Sequence, residues 1–152
     1  MRGRSTVIEE AAVLPKPASK IPVLLGGGTG ARTMARIAER ADGWLSLGSG
    51  SVETETANWE RIRDLTTKAG RDADRMEHIV CANVVFTDHA GSGKRSPFVG
   101  TFEQVVEDIQ TFAEAGADEI VVDLNLQDWF TDTRQMLDKA LEIRALVPAD
   151  GD

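Results

Sequence analysis

The densest promise of chemistry in this 152-residue chain lies in backbone groups rather than side chains. Residues 22–34 read PVLLGGGTGARTM, with Gly26, Gly27, Gly28, Thr29 and Gly30 in a row. An apolar strand runs straight into that turn, and a helix begins at Ala31. Backbone N–H groups in such a turn are free to meet an anion. Glycine lets the chain approach it closely, and the helix adds the positive end of its dipole. Arg32, in the first helical turn, could add charge. The same residues would also make a tight strand-to-helix connection that holds nothing.

Two phosphate motifs can be tested on spacing. Gly26-x-Gly28-x-x-Ala31 fits the relaxed dinucleotide pattern, which also wants an acid at the end of the next strand. That strand ends near Leu47-Gly48-Ser49, and Asp42 precedes it, so the ribose-binding carboxylate is missing. Gly91-Ser-Gly-Lys94 has the Gly-Lys pair of a P-loop. Asp88 stands where the motif needs its first glycine, and Arg95 where it needs Ser or Thr, so this is a flexible basic loop.

Side chains offer less specific candidates. Trp44 reads as strand packing, with a cofactor contact as the alternative, and Asp42 as a turn residue before that strand. Asn83 is polar within an apolar strand, where it could face a ligand or a neighbouring backbone. Asp88 and His89 read as an exposed loop pair, with a general-acid role as the alternative. Lys94 and Arg95 read as solvated loop cations, although either could reach a substrate phosphate or an acidic cofactor tail. His78 reads as structural. Asp123 ends a strand and is equally a site carboxylate or a structural one. The acids at 53, 55, 60, 107, 108 and 114 read as solvated helix faces. Cys81 lies in an apolar run and reads as a buried, inert thiol. No paired-carboxylate set, nucleophile triad or His/Cys metal cluster emerges.

The elements that must carry these residues alternate regularly. Strands are expected over residues 21–25, 43–47, 78–86 and 119–124, each with a continuous apolar run. Helices are expected over 31–41 (Ala31, Met34, Ala35 and Ala38 inward) and 52–69 (Trp59, Ile62, Leu65 and Ala69 inward). A third, from Phe102, carries Phe102, Val105, Val106, Ile109, Phe112 and Ala113 inward and opens on the capping box Thr101-Phe-Glu-Gln104. A last helix, capped by Asp132, carries Met136, Leu137, Ala140 and Leu141. Gly70 and Gly116 stop the second and third helices. Pro15-Lys-Pro17 imposes an extended path on residues 1–20, and residues 87–100 form a mobile loop within a unit spanning 21–148. Strand–helix alternation implies an α/β fold with a parallel sheet. Four such strands make an open sheet or half of a βα barrel, and periodicity does not choose between them.

Composition bounds the partners. Hydrophobic residues are 41% and charged residues 28%, an ordinary globular balance. The net charge of −8 argues against nucleic acid and anionic membrane surfaces. No apolar run is long enough to span a bilayer, and no signal core follows Arg2 and Arg4, so a cytoplasmic protein is expected.

The combined motifs resemble a known family. Leu14-Pro-Lys-Pro17, Ile21-Pro-Val-Leu-Leu-Gly-Gly-Gly28 and Ala38-Glu-Arg-Ala-Asp-Gly-Trp44 resemble luciferase-like monooxygenases. So do Gly100-Thr-Phe-Glu-Gln-Val-Val106 and Ala113-Glu-Ala-Gly-Ala-Asp118. The resemblance covers nearly the whole chain in the family's order. It implies a parallel (βα) half-barrel of four βα units, matching the C-terminal half of a TIM barrel roughly twice this length. It implies an oxidoreductase using FMN or a deazaflavin (coenzyme F420), by oxygen activation or by hydride transfer on a small-molecule substrate. It implies that the turn matching residues 26–29 lies against the ribityl-phosphate side of that cofactor. No catalytic side chain carries over, since the family's come mostly from the other half. Self-association, or a partner supplying that N-terminal half, is expected. The rival reading is a non-catalytic half-barrel serving as a phosphate-binding or assembly module.

Overall fold

A computed structural model describes residues 14–90, 95–125 and 132–147. Most of the expected N-terminal segment and the Gly91-Ser-Gly-Lys94 stretch lie outside the described residues. The elements are β1 (Leu24–Gly26), α1 (Ala31–Arg40), β2 (Gly43–Ser46), α2 (Val52–Lys68), a 3-10 turn (Ala73–Arg75) and β3 (Glu77–Asn83). After them come β4 (Val85–Phe86), β5 (Val99–Gly100), α3 (Phe102–Glu114), β6 (Glu119–Asp123) and α4 (Thr133–Leu146).

The main sheet is parallel, with order β1-β2-β3-β6. Strands sit in the order in which the chain makes them, with no reversal. A doubly wound sheet reverses at a switch point and carries helices on both faces. Here the strand pleat sends alternate residues to opposite faces, and the helices pack on one. Leu25, Trp44 and His78 are register neighbours on that covered face, as are Val80 with Ile120 and Ala82 with Val122. Met34, Ile37, Trp59 and Ile62 from α1 and α2 close over the first group. Val105, Ile109, Phe112 and Ile143 from α3 and α4 close over the second, with Phe98. The opposite face carries Gly26, Leu45, Ile79, Cys81, Asn83, Val121 and Asp123. One-sided helical cover with sequential parallel strands is the half-barrel pattern.

Helix starts follow the caps in the sequence. Ser51 Oγ accepts from the Thr54 N–H at the start of α2, and Asp132 Oδ1 accepts from the Gln135 N–H at the start of α4. Thr101 and Gln104 form the full capping box of α3.

Several expectations change. β1 begins at Leu24, because Val23 gives its N–H to Asp42 Oδ2 and its carbonyl to the Asp42 N–H. β3 ends at Asn83, where the chain changes partner: Val84 N–H still reaches the Asp123 carbonyl, but Val85 N–H reaches that of Phe98. Val99 and Gly100, expected in a loop, therefore pair with Val85 and Phe86. Ile37 replaces Ala31 on the buried face of α1, and Thr66 replaces Ala69 on that of α2. Leu137 and Leu141 of α4 are exposed, and the helix enters the core through Ile143. No described helix is long and apolar enough to cross a membrane.

Candidate functional site

The glycine turn follows β1 at the C-terminal end of the sheet. Gly27 has φ +145°, a region that side-chain-bearing residues rarely occupy, and a Cβ there would stand 3.1 Å from Thr33 Cγ2. A Cβ on Gly28 or Gly30 would meet nothing within 4 Å. Gly30 is the N-cap of α1, and its carbonyl accepts from the N–H groups of Thr33 (2.9 Å) and Met34 (3.0 Å). It has no side chain to cap the helix. The other three described α-helices satisfy their starts with Ser51, Thr101 and Asp132, whereas α1 opens toward solvent at the turn. A side-chain anchor for the turn comes from below: Trp44 Nε1–H donates to the Gly27 carbonyl at 3.3 Å. The arrangement offers backbone donors and a helix dipole to an anion, in open space.

The same end of the uncovered face carries polar side chains. Asn83 and Asp123 are register partners on β3 and β6. Asp123 Oδ1 accepts from the Asn125 N–H (2.9 Å) and side-chain amide (2.6 Å). Cys81 Sγ lies 3.8 Å from Asn83 Oδ1. Burial pushes the Cys81 thiol above its ordinary pKa, and the Asp123 charge pushes it further. Below this polar end the face carries Leu45, Ile79 and Val121, with Glu119 beside Ile79 and Glu77 at the far end.

Other candidates fall elsewhere. Asp42 is a turn residue, held below the usual carboxylate range by hydrogen bonds from Lys20 and the Val23 N–H. Asp88 and His89 are exposed. His78 is buried between Trp44 and Trp59. Lys94 lies outside the described residues. Arg95 is not a solvated loop cation. Both of its terminal nitrogens bond the carboxylate of Asp108, which raises the guanidinium pKa further. Asp108 also accepts from the Phe98 N–H at 2.7 Å, so it is not a solvated acid. Glu55 is only 6% exposed and lies 3.4 Å from His78 Nε2. A signal for it was present: 55, 59, 62 and 66 fall on one helical stripe, with Trp59 and Ile62. A cleft of about 620 Å³ between Ser51, Glu53, Arg95 and Phe112 includes none of the glycine turn. Its arginine is already paired with Asp108.

The sequence matches the description of luciferase-like monooxygenases over residues 1–96. The chain belongs to the luciferase-like monooxygenase family. Its fold is shared by solved structures of low identity. The coenzyme F420 dependent tetrahydromethanopterin reductase from Methanopyrus kandleri aligns with TM-score 0.57 and 14% identity, over 79% of this chain and 49% of that one. An F420-dependent secondary alcohol dehydrogenase, in complex with an F420-acetone adduct, aligns with TM-score 0.65 and 15% identity, over 98% and 56%. The long-chain alkane monooxygenase LadA aligns with TM-score 0.52 and 16% identity, over 79% and 39%. The chain thus spans about half the length of these structures or less. No curated protein matches it. Family and fold together identify the four βα units as half of a luciferase-like barrel.

Proposed function

We propose that this chain is the C-terminal half of a flavin- or deazaflavin-dependent oxidoreductase, and that Gly26, Gly27, Gly28, Thr29 and Gly30 hold the phosphate side of the cofactor. The observation that carries the reading is the uncapped start of α1, set at the C-terminal end of a strand in this family's fold. Ligands of βα barrels bind at that end. FMN or coenzyme F420 is the cofactor class: the family is that of the monooxygenases, and two of the similar structures are named for F420. The bound cofactor supplies oxygen activation or hydride transfer, and the protein supplies binding and orientation. In this chain the turn's amides bind the anion. Ile79 and Val121 keep water from the floor of the face, and Asn83 and Asp123 present polar groups to a small-molecule substrate.

The site is half built. Among the described residues β1 and β6 are the sheet edges, and Leu47 and Val121 are exposed. Such edges and apolar faces call for cover. A second copy, or a partner supplying the complementary half-barrel, provides it. A well-folded monomer at micromolar concentration in analytical ultracentrifugation would count strongly against this requirement.

The cofactor claim is tested by titrating the purified chain with FMN and with coenzyme F420, following fluorescence. Saturable binding to one of them is expected, lost in Gly27→Val, whose side chain cannot adopt the turn's backbone. No binding of either at millimolar levels overturns the cofactor reading. Binding that survives Gly27→Val overturns the assignment of the site.

A further inference from the structure

Trp44 does more than fill the core. Its indole is 2% exposed, and the His78 ring lies parallel to it, 5.1 Å between centroids with 6° between planes. The His78 ring is stacked in turn on Trp59 of α2, at 5.0 Å and 22°. Glu55, in the first turn of α2, faces the same imidazole. Three rings from β2, β3 and α2 are thus locked together on the helix-covered face. At the end of this stack Trp44 directs its one polar atom, an N–H with no acceptor capacity, at the Gly27 carbonyl.

That bond has a consequence one atom away. Across a trans peptide the C=O of Gly27 and the N–H of Gly28 point in opposite directions. Fixing the carbonyl toward the covered layer turns the Gly28 N–H away from it, toward the open side of the turn. Gly28 is exposed, and a Cβ added to it would meet nothing within 4 Å. A Gly-Gly peptide has little intrinsic preference to stop it from flipping, so the orientation needs an outside hold.

We infer that Trp44 is the positioning residue of the glycine turn: by holding the Gly27 carbonyl, it aims the Gly28 amide at the phosphate group of a bound cofactor. The inference rests on the cofactor reading above. Trp44→Phe keeps a ring in the stack and removes the N–H. Trp59→Phe keeps a ring and never touches the turn. In FMN and F420 titrations Trp44→Phe should weaken binding roughly three- to tenfold, the loss of one hydrogen bond, while Trp59→Phe stays within about twofold of wild type. Equal weakening by both variants, or none by Trp44→Phe, overturns the inference. The amide resonance of Gly28 gives a ligand-free readout: single and sharp in wild type, broadened or doubled in Trp44→Phe. If wild type binds neither probe, the cofactor reading falls, and an unchanged Gly28 resonance in Trp44→Phe overturns the hold on the turn as well. If Trp44→Phe fails to fold, the wild-type indole N–H resonance of Trp44 decides. It should move when FMN is added, and a resonance that stays put at saturation overturns the inference.

Discussion

The two faces of one sheet have opposite characters. On the helix-covered face of β3, His78, Val80 and Ala82 are almost wholly buried, sealed by Trp59, Ile62, Val105 and Ile109. On the other face the same strand presents Ile79, Cys81 and Asn83, beside a Val121 that is 42% exposed. Alternation along one strand therefore separates two tasks. The covered face closes its core within this chain. The uncovered face has the glycine turn, Asn83 and Asp123 at one end and leaves Leu47 and Val121 exposed. Stability concentrates on the first face, and the donors that could meet a ligand open toward the second.

The sharpest way to break this contrast is to truncate one residue on each face. Ile62 is fully buried within the aromatic cluster. Ile62→Ala should cost about 2–5 kcal/mol, from lost transfer energy and a residual cavity. Val121→Ala should cost under about 1 kcal/mol, because the side chain already meets solvent. Urea unfolding of both variants checks the pair. Comparable losses would mean that the uncovered face is also packed in solution, as it would be in a closed assembly.

A second variant asks whether polar groups share in the covered side's stability. Asp108 on α3 receives both terminal nitrogens of Arg95 and the N–H of Phe98. Phe98 is buried despite φ +62°, an unusual conformation for a bulky residue. Asp108 thus holds a strained residue in the core and fixes the approach to β5. Asp108→Ala should cost about 1–3 kcal/mol, toward the low end because the Arg95 side chain keeps partial access to water. Asp108→Asn, which can still accept from Phe98, should recover part of the loss. No recovery in urea unfolding would place the whole effect in the ion pair.

The same contrast explains what could be read from the sequence. Strand–helix alternation, the caps at Thr101 and Asp132, and the family resemblance were legible because each depends on residues close together in the chain. The face of each β-strand was harder, since continuous apolar runs look alike on both sides. Glu55 and Asp108 were misread because charge was taken as exposure. Their partners lie 23 and 13 residues away, His78 beyond a whole helix and Arg95 across a loop. Leu137 and Leu141 fit a buried stripe by spacing, yet the core engages α4 through Ile143, with Met136 and Ala140 packed against it. The glycine turn was visible as a pattern, but its tie to Trp44 was not: an indole N–H carries no sequence signature for the carbonyl it will find.

Cys81 gives the smallest effect and the most direct report on the uncovered face. Its thiol pKa is raised by burial first and by the Asp123 charge second. The folded state therefore favours the neutral thiol. That contribution to stability is fully present below the unfolded-state pKa, about 8.5, and is lost as pH rises through the higher folded value. Alkylation by iodoacetamide needs the thiolate, so Cys81 should react more slowly near neutral pH than in the urea-unfolded chain. Asp123→Asn removes one cause and leaves burial in place, so it should shift the pH–rate midpoint down by part of the full displacement. A midpoint unmoved by Asp123→Asn would separate Cys81 from the polar end of the face. Alkylation as fast as in the unfolded chain would show that burial does not control the thiol. If a complementary half closes over this face, adding it should slow the reaction further. Oligomer formation that leaves the rate unchanged would place the assembly contact elsewhere.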